Sequence, residues 1–119
     1  MKSLELLKII DFLQNNITGS KFSKFSSVQF FYSQACSINI WLLVLEFFYK
    51  NKLLNIERVY LNNKNTSKPT VDKIINDAVF NKFLEKEVNL LDKRKVNLLP
   101  SQQTILEFEL LIKEFNNIE

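Results

Sequence analysis

Glycine and proline are almost absent from this chain: one glycine and two prolines occur in 119 residues. Because these residues break helices and form tight turns, their scarcity predicts few turns and a mostly helical fold. Apolar residues make up 46% of the sequence and charged residues 24%, a composition typical of globular domains. The length is that of one domain with a modest core. The sequence therefore predicts a single, mainly α-helical domain over residues 1–119.

Composition argues against several classes of protein. No apolar run approaches the ~20 residues of a membrane span, and charged residues interrupt the apolar start, MKSLELLKIIDFLQ, unlike a signal peptide. A single cysteine without an export signal predicts a cytoplasmic protein. The absence of histidine argues against zinc sites and histidine-based catalysis, and the single glycine argues against glycine-rich phosphate loops. We expect no enzyme activity, no cofactor, no metal and no membrane partner.

Positive charge is concentrated in the middle of the chain. Residues 50–95 contain eleven Lys and Arg against six Asp and Glu, a net charge of +5, whereas the remainder carries −2. A basic centre between neutral-to-acidic ends predicts a central segment that faces an anion. A solvated lysine-rich surface is the alternative that charge alone leaves open.

Apolar spacing predicts helices at both ends of the chain and in its centre. Leu4, Leu7, Ile10 and Leu13 recur at steps of three and predict an amphipathic helix over residues 2–17. Further helices are predicted near 28–34, over 38–50 with Ser37 as its cap, from Asn55 onward, and over 102–115. The helix over 38–50 is apolar nearly all round, which predicts that it lies in the centre of the core.

The stretch Ser67-Lys68-Pro69-Thr70-Val71 opens another helix. Ser67 is a good N-cap, and Pro69 falls in the first turn, where its missing N–H leaves no hydrogen bond unmade. Lys68 is less favourable there, because the helix macrodipole prefers an acid at the N-terminus. The lysine becomes useful if this end of the helix meets a negatively charged partner.

After this helix the apolar period changes from that of a helix to that of a strand. Alternation within 84–90 and within 95–98 predicts two strands joined by the charged turn Leu91-Asp92-Lys93-Arg94. Helix, turn, helix and hairpin in this order are typical of a winged helix-turn-helix. We therefore predict a mainly α fold with a small β-hairpin wing (α+β), made of a winged helix-turn-helix over 37–100 and flanking helical segments over 1–36 and 101–119.

The chain from Cys36 to Phe115 resembles the MarR family of bacterial transcription regulators, including its smaller SarA-like branch. The resemblance rests on Ser67-Lys68-Pro69-Thr70-Val71, on Asp92-Lys93-Arg94-Lys95-Val96 and on Leu98-Leu99-Pro100-Ser101 before a helix. It implies a homodimer that binds double-stranded DNA and regulates transcription. In that family the terminal helices form the dimer, the helix after the serine enters the major groove, and the wing arginine reaches the minor groove.

The resemblance and the residue types together define the candidate site residues. We expect Thr70, Lys73 and Asn76 to face the major groove, where asparagine can read adenine, and Arg94, oriented by Asp92, to enter the minor groove. The candidate DNA-binding residues are Ser67, Lys68, Thr70, Lys73, Asn76, Lys93, Arg94 and Lys95. The candidate dimer residues are Leu4, Leu7, Ile10, Leu13, Leu106, Leu110 and Phe115.

Three features depart from the family pattern. The turn Asn62-Asn63-Lys64-Asn65-Thr66 is longer than the family's, and it lacks the family's buried aliphatic residue. Lys82 stands where the family commonly has a glycine, so that Lys82 or Asn81 must adopt a left-handed conformation. The chain is also shorter than a typical member, which predicts a reduced dimer interface.

A second function class stays open beside DNA binding. Asp72 and Asp77 lie on the helix face that would read DNA, which favours a winged-helix protein-interaction module that has lost DNA binding. Glu85 and Glu87 alternate onto one strand face and could be imagined as a catalytic pair. A solvated strand face is the favoured interpretation of this pair.

Two apolar sites also allow two interpretations each. Cys36 could be a thiol sensor, although no neighbouring cation would lower its pKa, and a buried thiol is the ordinary case. Phe30, Phe31 and Tyr32 could line a ligand pocket, whereas aromatics at such spacing usually form the core. No pattern in the sequence identifies a small-molecule effector.

Overall fold

The computed structural model describes residues 25–88, 90–92 and 94–118. The helix predicted over 2–17, with its four candidate dimer residues Leu4, Leu7, Ile10 and Leu13, lies outside the described residues. None of the described helices is long and apolar enough to cross a bilayer. The described elements are, in chain order, α1 (Ser26–Tyr32), α2 (Ala35–Tyr49), β1 (Leu54–Asn55), α3 (Ile56–Asn62), α4 (Lys68–Phe80), β2 (Leu84–Val88), β3 (Val96–Pro100) and α5 (Gln102–Ile118).

Helix α2 lies in the centre of the core, as its nearly continuous apolar sequence predicts. Ile40 and Trp41 are fully buried, and the Trp41 ring stacks on Phe31 with ring centroids 6.2 Å apart. On its other side Trp41 meets the edge of Phe108 from α5 at 5.8 Å. Phe31 is therefore a core residue that joins α1 to α2, and Trp41 continues the contact to α5. The pocket interpretation of the aromatic segment is not needed to explain this burial.

The predicted start of α2 was wrong by three residues. Ser37 does not cap the helix, which begins at Ala35 with Gln34 as the N-cap. The Gln34 N–H donates to the Ser37 hydroxyl at 3.3 Å, and that hydroxyl donates to the Gln34 carbonyl at 2.8 Å. Ser37 thus closes a capping box from inside the first turn. Because serine is common at the N-cap itself, its presence here led to a predicted helix start that is too late.

The sheet contains one strand more than the predicted hairpin. Strands β2 and β3 pair antiparallel, with Leu84 opposite Pro100 and Val88 opposite Val96. The two-residue strand β1 pairs with the other edge of β3, with Leu54 opposite Leu98, so that the order is β1-β3-β2. This third strand ties the start of α3 to the base of the wing.

A left-handed Lys82 ends α4, and the alternative left-handed Asn81 is wrong. Lys82 has φ 64°, whereas Asn81 has φ −83°. The Lys82 N–H donates to the Val79 carbonyl at 3.1 Å, and the Phe83 N–H donates to the Ala78 carbonyl at 2.8 Å. These two bonds form a Schellman motif. The turn therefore keeps the geometry that glycine usually provides, at a conformational cost of roughly 1 kcal/mol.

Helix α5 forms side-chain hydrogen bonds with the winged domain and with α1. The Thr104 hydroxyl donates to the Phe83 carbonyl at 2.7 Å, beside the end of α4. Farther along α5, the Glu107 carboxylate accepts from the Ser27 N–H at 2.9 Å and from the Ser27 hydroxyl. Helix α5 therefore packs both on the winged domain, at Phe83, and on α1, at Ser27.

Candidate nucleic-acid interface

A buried asparagine stabilises the long turn between α3 and α4. Asn63, at the end of α3, is 6% exposed, and its side-chain amide donates to the Val59 carbonyl at 2.8 Å. Its side-chain oxygen accepts from the Cys36 thiol at 3.7 Å. Asn63 is thus a buried polar residue whose side chain is paired at both its amide and its oxygen. The contact with Asn63 supports the structural interpretation of Cys36.

The start of α4 has the predicted capping geometry. The Ser67 hydroxyl accepts the Thr70 N–H at 3.4 Å, and the two hydroxyl oxygens are 2.8 Å apart. The ammonium of Lys68 lies over the Tyr60 ring, 4.8 Å from the ring centroid. This cation–π contact holds the lysine at the helix start, where the macrodipole alone would disfavour it.

Tyr60 also holds the first of the two acids on α4. Its hydroxyl donates a short hydrogen bond to the Asp72 carboxylate. The pKa of Tyr60 is raised to about 12, mainly by burial. The hydrogen bond to Asp72 and the negative charges of Asp72 and Glu57 raise the pKa further. The hydroxyl therefore remains a donor at neutral pH, and it joins α3 to α4 across the long turn.

We expect the substitution Tyr60→Phe to destabilise the protein by about 1 kcal/mol. It removes only the hydroxyl and leaves the ring beneath Lys68. One hydrogen bond to a partly exposed carboxylate is worth about that much. Urea unfolding of Tyr60→Phe, Asp72→Asn and the double variant would measure the coupling energy between the two side chains. Strictly additive effects would show that this contact does not stabilise the helix pair.

The exposed face of α4 carries two polar pairs. Lys73 is bound to Asp77, with the ammonium 2.9 Å from a carboxylate oxygen and 78% of the lysine side chain exposed. Asn76 accepts a hydrogen bond from the Lys86 ammonium at 3.0 Å. Lys86 is a basic residue beside the exposed face of α4, and it is not among the predicted site residues. The alternation of β2 places Lys86 on the opposite strand face from Glu85 and Glu87. This alternation is the sequence signal that could have identified Lys86 as a neighbour of α4.

At the tip of the wing, Asp92 binds Arg94 as predicted. The Arg94 backbone N–H and its Nε both donate to one Asp92 oxygen, at 3.1 and 3.2 Å. The guanidinium still extends into solvent, since 92% of the side chain is exposed. Lys95 is also exposed, while Lys93 lies outside the described residues.

The start of α4 and the wing meet around one cleft. A cavity of about 200 Å³ separates α3 from the wing, and Lys68, Arg94 and Lys95 line it together with Tyr60. Glu57 is the acid on its wall. The fold therefore brings three cations, from positions as far apart in sequence as 68 and 95, to the same side of the molecule. An arrangement of this kind favours a polyanion over a small neutral ligand.

The candidate dimer residues of α5 divide into two groups. Leu106 and Leu110, one turn apart, are 51% and 50% exposed. Phe115 is half-buried and packs against the core of its own chain. Among these three, the first two form an apolar stripe that a second chain could cover.

Comparison with known proteins identifies the class of fold. The structure is similar to that of an uncharacterized SlyA-like transcription regulator from Listeria monocytogenes, with a TM-score of 0.54 and 15% identity over 98% of this chain and 72% of that one. It is equally similar to the YusO protein from Bacillus subtilis, with a TM-score of 0.54 and 12% identity over 99% of this chain and 81% of that one. No protein-family model and no curated protein sequence matches the chain. The prediction of a mostly helical winged-helix fold with a small antiparallel sheet is confirmed.

Proposed function

We propose that this protein is a cytoplasmic transcription regulator that binds double-stranded DNA as a homodimer. The observation that carries the proposal is the convergence of Lys68, at the start of α4, with Arg94 and Lys95 of the wing on the cleft between α3 and the wing. A winged helix that presents cations from both parts to the same side can bind phosphates on both sides of a groove. The likeness to a SlyA-like regulator supports the same conclusion.

In this proposal each candidate residue has a separate role. Helix α4 enters the major groove with Thr70, Lys73 and Asn76, while Arg94 reaches into the minor groove. Lys68, Lys93 and Lys95 contact phosphates, and Ser67 fixes the start of the helix. Lys73 leaves Asp77 on binding, a step of small cost because exposed ion pairs are weak. We add Lys86 as a contact beside Asn76, since it already reaches the reading face.

The two acids that favoured a protein-interaction module are both engaged within the chain. Asp72 accepts from the Tyr60 hydroxyl, and Asp77 pairs with Lys73. In the free protein both carboxylates are therefore directed at partners of their own chain; on DNA binding Asp72 keeps its Tyr60 donor, whereas Asp77 loses Lys73. The observation that favoured the alternative function thus has an intramolecular explanation.

A salt titration of binding to mixed-sequence duplex DNA tests the proposal. Phosphate contacts displace condensed counterions, so the logarithm of the association constant should fall steeply and linearly with the logarithm of salt concentration. Fluorescence anisotropy at several salt concentrations measures that slope. A protein-interaction module would show no binding to DNA. If the protein binds no duplex DNA at low salt, the proposed function is excluded.

Removing the wing arginine should weaken binding to every sequence. Arg94→Ala should lower the magnitude of the salt slope by about one unit, because one cation that displaces condensed counterions from the DNA is lost. The preference for narrow A·T-rich flanks should decrease with it. Lys113→Ala is a matched control, since Lys113 is an exposed cation on α5 away from the cleft. An unchanged slope in Arg94→Ala would mean that the wing does not contact DNA.

Removing the asparagine of α4 should instead relax sequence preference. Asn76→Ala should cost about 1–3 kcal/mol at one or two base pairs and leave the salt slope intact, because a good bidentate contact is worth that much. Fluorescence anisotropy on a duplex selected by the protein from a random pool, and on its single-base variants, would measure the loss of preference. Asn116→Ala replaces an exposed asparagine of α5 and serves as control. Equal weakening on all sequences would show that α4 is docked in another orientation.

A further inference from the structure

Phe80 is the last residue of α4 and is 84% exposed, although phenylalanine is among the residues most often buried. A single exposed apolar side chain on an arbitrary surface requires no explanation. The position of Phe80 on the helix, however, is not arbitrary. At 3.6 residues per turn, Lys73, Asn76 and Phe80 lie within an arc of about 60° around the helix axis, with Phe80 between the other two.

The surroundings of Phe80 are polar and positively charged. Lys73 and Asn76 precede it on the same face, the exposed Lys82 follows it, and Lys86 reaches this face from β2. The apolar stripe of α4 points the other way, into the core, with Val71, Ile74 and Ile75 buried. A protein-binding surface would need a contiguous apolar patch around the ring, whereas the described part of this face offers one ring among polar and charged side chains, Asp77 with its partner Lys73 included.

We propose that Phe80 determines specificity by packing against the 5-methyl group of a thymine in the major groove. Thymine is the one base that presents a methyl group there, and phenylalanine is a side chain suited to contact it. The inference rests on the proposed function, because it needs α4 in the groove. It adds a direct apolar contact to the polar reading residues of the same face.

The helix geometry also limits where that thymine lies. Phe80 is four residues beyond Asn76, which corresponds to about 6 Å along the helix axis. Successive base pairs are about 3.4 Å apart. The thymine should therefore lie within about two base pairs of the position that Asn76 reads, once in each half-site.

A deoxyuridine scan of the selected duplex tests this inference, since deoxyuridine lacks only the 5-methyl group of thymine. With wild-type protein, replacing the contacted thymine in one half-site should weaken binding about fourfold, the effect of one buried methyl group. With Phe80→Ala, binding to the thymine duplex should already be weaker, and the same replacement should have no further effect. Leu61→Ala, at an exposed leucine of α3 outside this face, should keep the wild-type response.

The outcomes separate failure of this inference from failure of the proposed function. If wild-type protein binds no duplex DNA, the proposed function fails and this inference fails with it. If wild-type protein binds DNA but Phe80→Ala retains the full thymine-to-deoxyuridine response, only this inference is overturned. If Phe80→Ala binds DNA as the wild type does but no longer self-associates in light scattering, Phe80 belongs to a protein contact, and the inference is also overturned.

Discussion

Replacing Leu106 and Leu110 with glutamate should convert the protein into a monomer that no longer binds its DNA site. Both leucines are about half exposed and lie one turn apart on α5. In a two-fold symmetric interface each substitution occurs twice, so that four carboxylates would enter one apolar contact. Burying unpaired charges costs several kcal/mol each, which exceeds what a small interface can supply.

Loss of the dimer should abolish DNA binding because a winged-helix dimer recognises two half-sites one helical turn apart. Light scattering at tens of micromolar would detect the change, since a dimer with a dissociation constant of ~1 μM would still form at that concentration. Leu53→Glu with Leu61→Glu is a matched control, because these leucines are 65% and 59% exposed and lie outside α5. Circular dichroism would verify that both double variants remain folded.

Two observations would contradict the dimer. The first is a wild-type protein that remains monomeric at tens of micromolar. The second is a Leu106→Glu, Leu110→Glu variant that still self-associates as the wild type does, which would place the interface elsewhere. A monomeric wild type would also weaken the DNA proposal, because two copies are needed to span both half-sites.

Replacing Phe108 with alanine should destabilise the fold by about 3–5 kcal/mol, the usual cost of removing a buried phenylalanine. Phe108 is 1% exposed and contacts Trp41 edge-on, with the ring of Tyr49 6.0 Å away. Small domains are stable by only about 5–15 kcal/mol in total. This single change should therefore remove a large share of the stability.

Phe80→Ala is the matched control for this measurement, because the same substitution occurs at an 84% exposed position. It should change the free energy of unfolding by no more than about 0.5 kcal/mol. Urea unfolding at one fixed protein concentration, followed by the fluorescence of the single tryptophan, would compare the two variants. Similar costs for both would contradict the packing of α5 on α2.

Local chemistry allowed several elements to be predicted from the sequence. Ser67 caps α4 because its hydroxyl meets an N–H only three residues away. The sequence likewise predicts a left-handed residue at the end of α4, either Asn81 or Lys82, and the apolar period distinguishes α4 from the strands that follow it. These features involve interactions within one turn or along one strand, so the residue order is sufficient to predict them.

Local competition between two possible caps explains why the predicted start of α2 was misplaced by three residues. Gln34 and Ser37 both belong to the capping box of α2, and a serine is the stronger N-cap by intrinsic preference. The structure uses the serine from inside the helix, where its hydroxyl also donates to the Phe31 carbonyl. That second acceptor belongs to α1, and the preference for this arrangement depends on how the two helices pack.

Within the described residues, the sequence by itself determined the helices, the wing and the concentration of positive charge in the centre of the chain, because each depends on neighbouring residues. Tertiary structure alone decided which side chains meet. Tyr60 reaches Asp72 across a turn, Lys86 reaches Asn76 from a strand, and β1 exists only because its two residues pair with β3. Lys68 and Arg94 share a cleft although 26 positions separate them. Such neighbours, distant in sequence, depend on how the helices and strands pack. The spacing of residues within one element does not specify which side chains of another element it will meet.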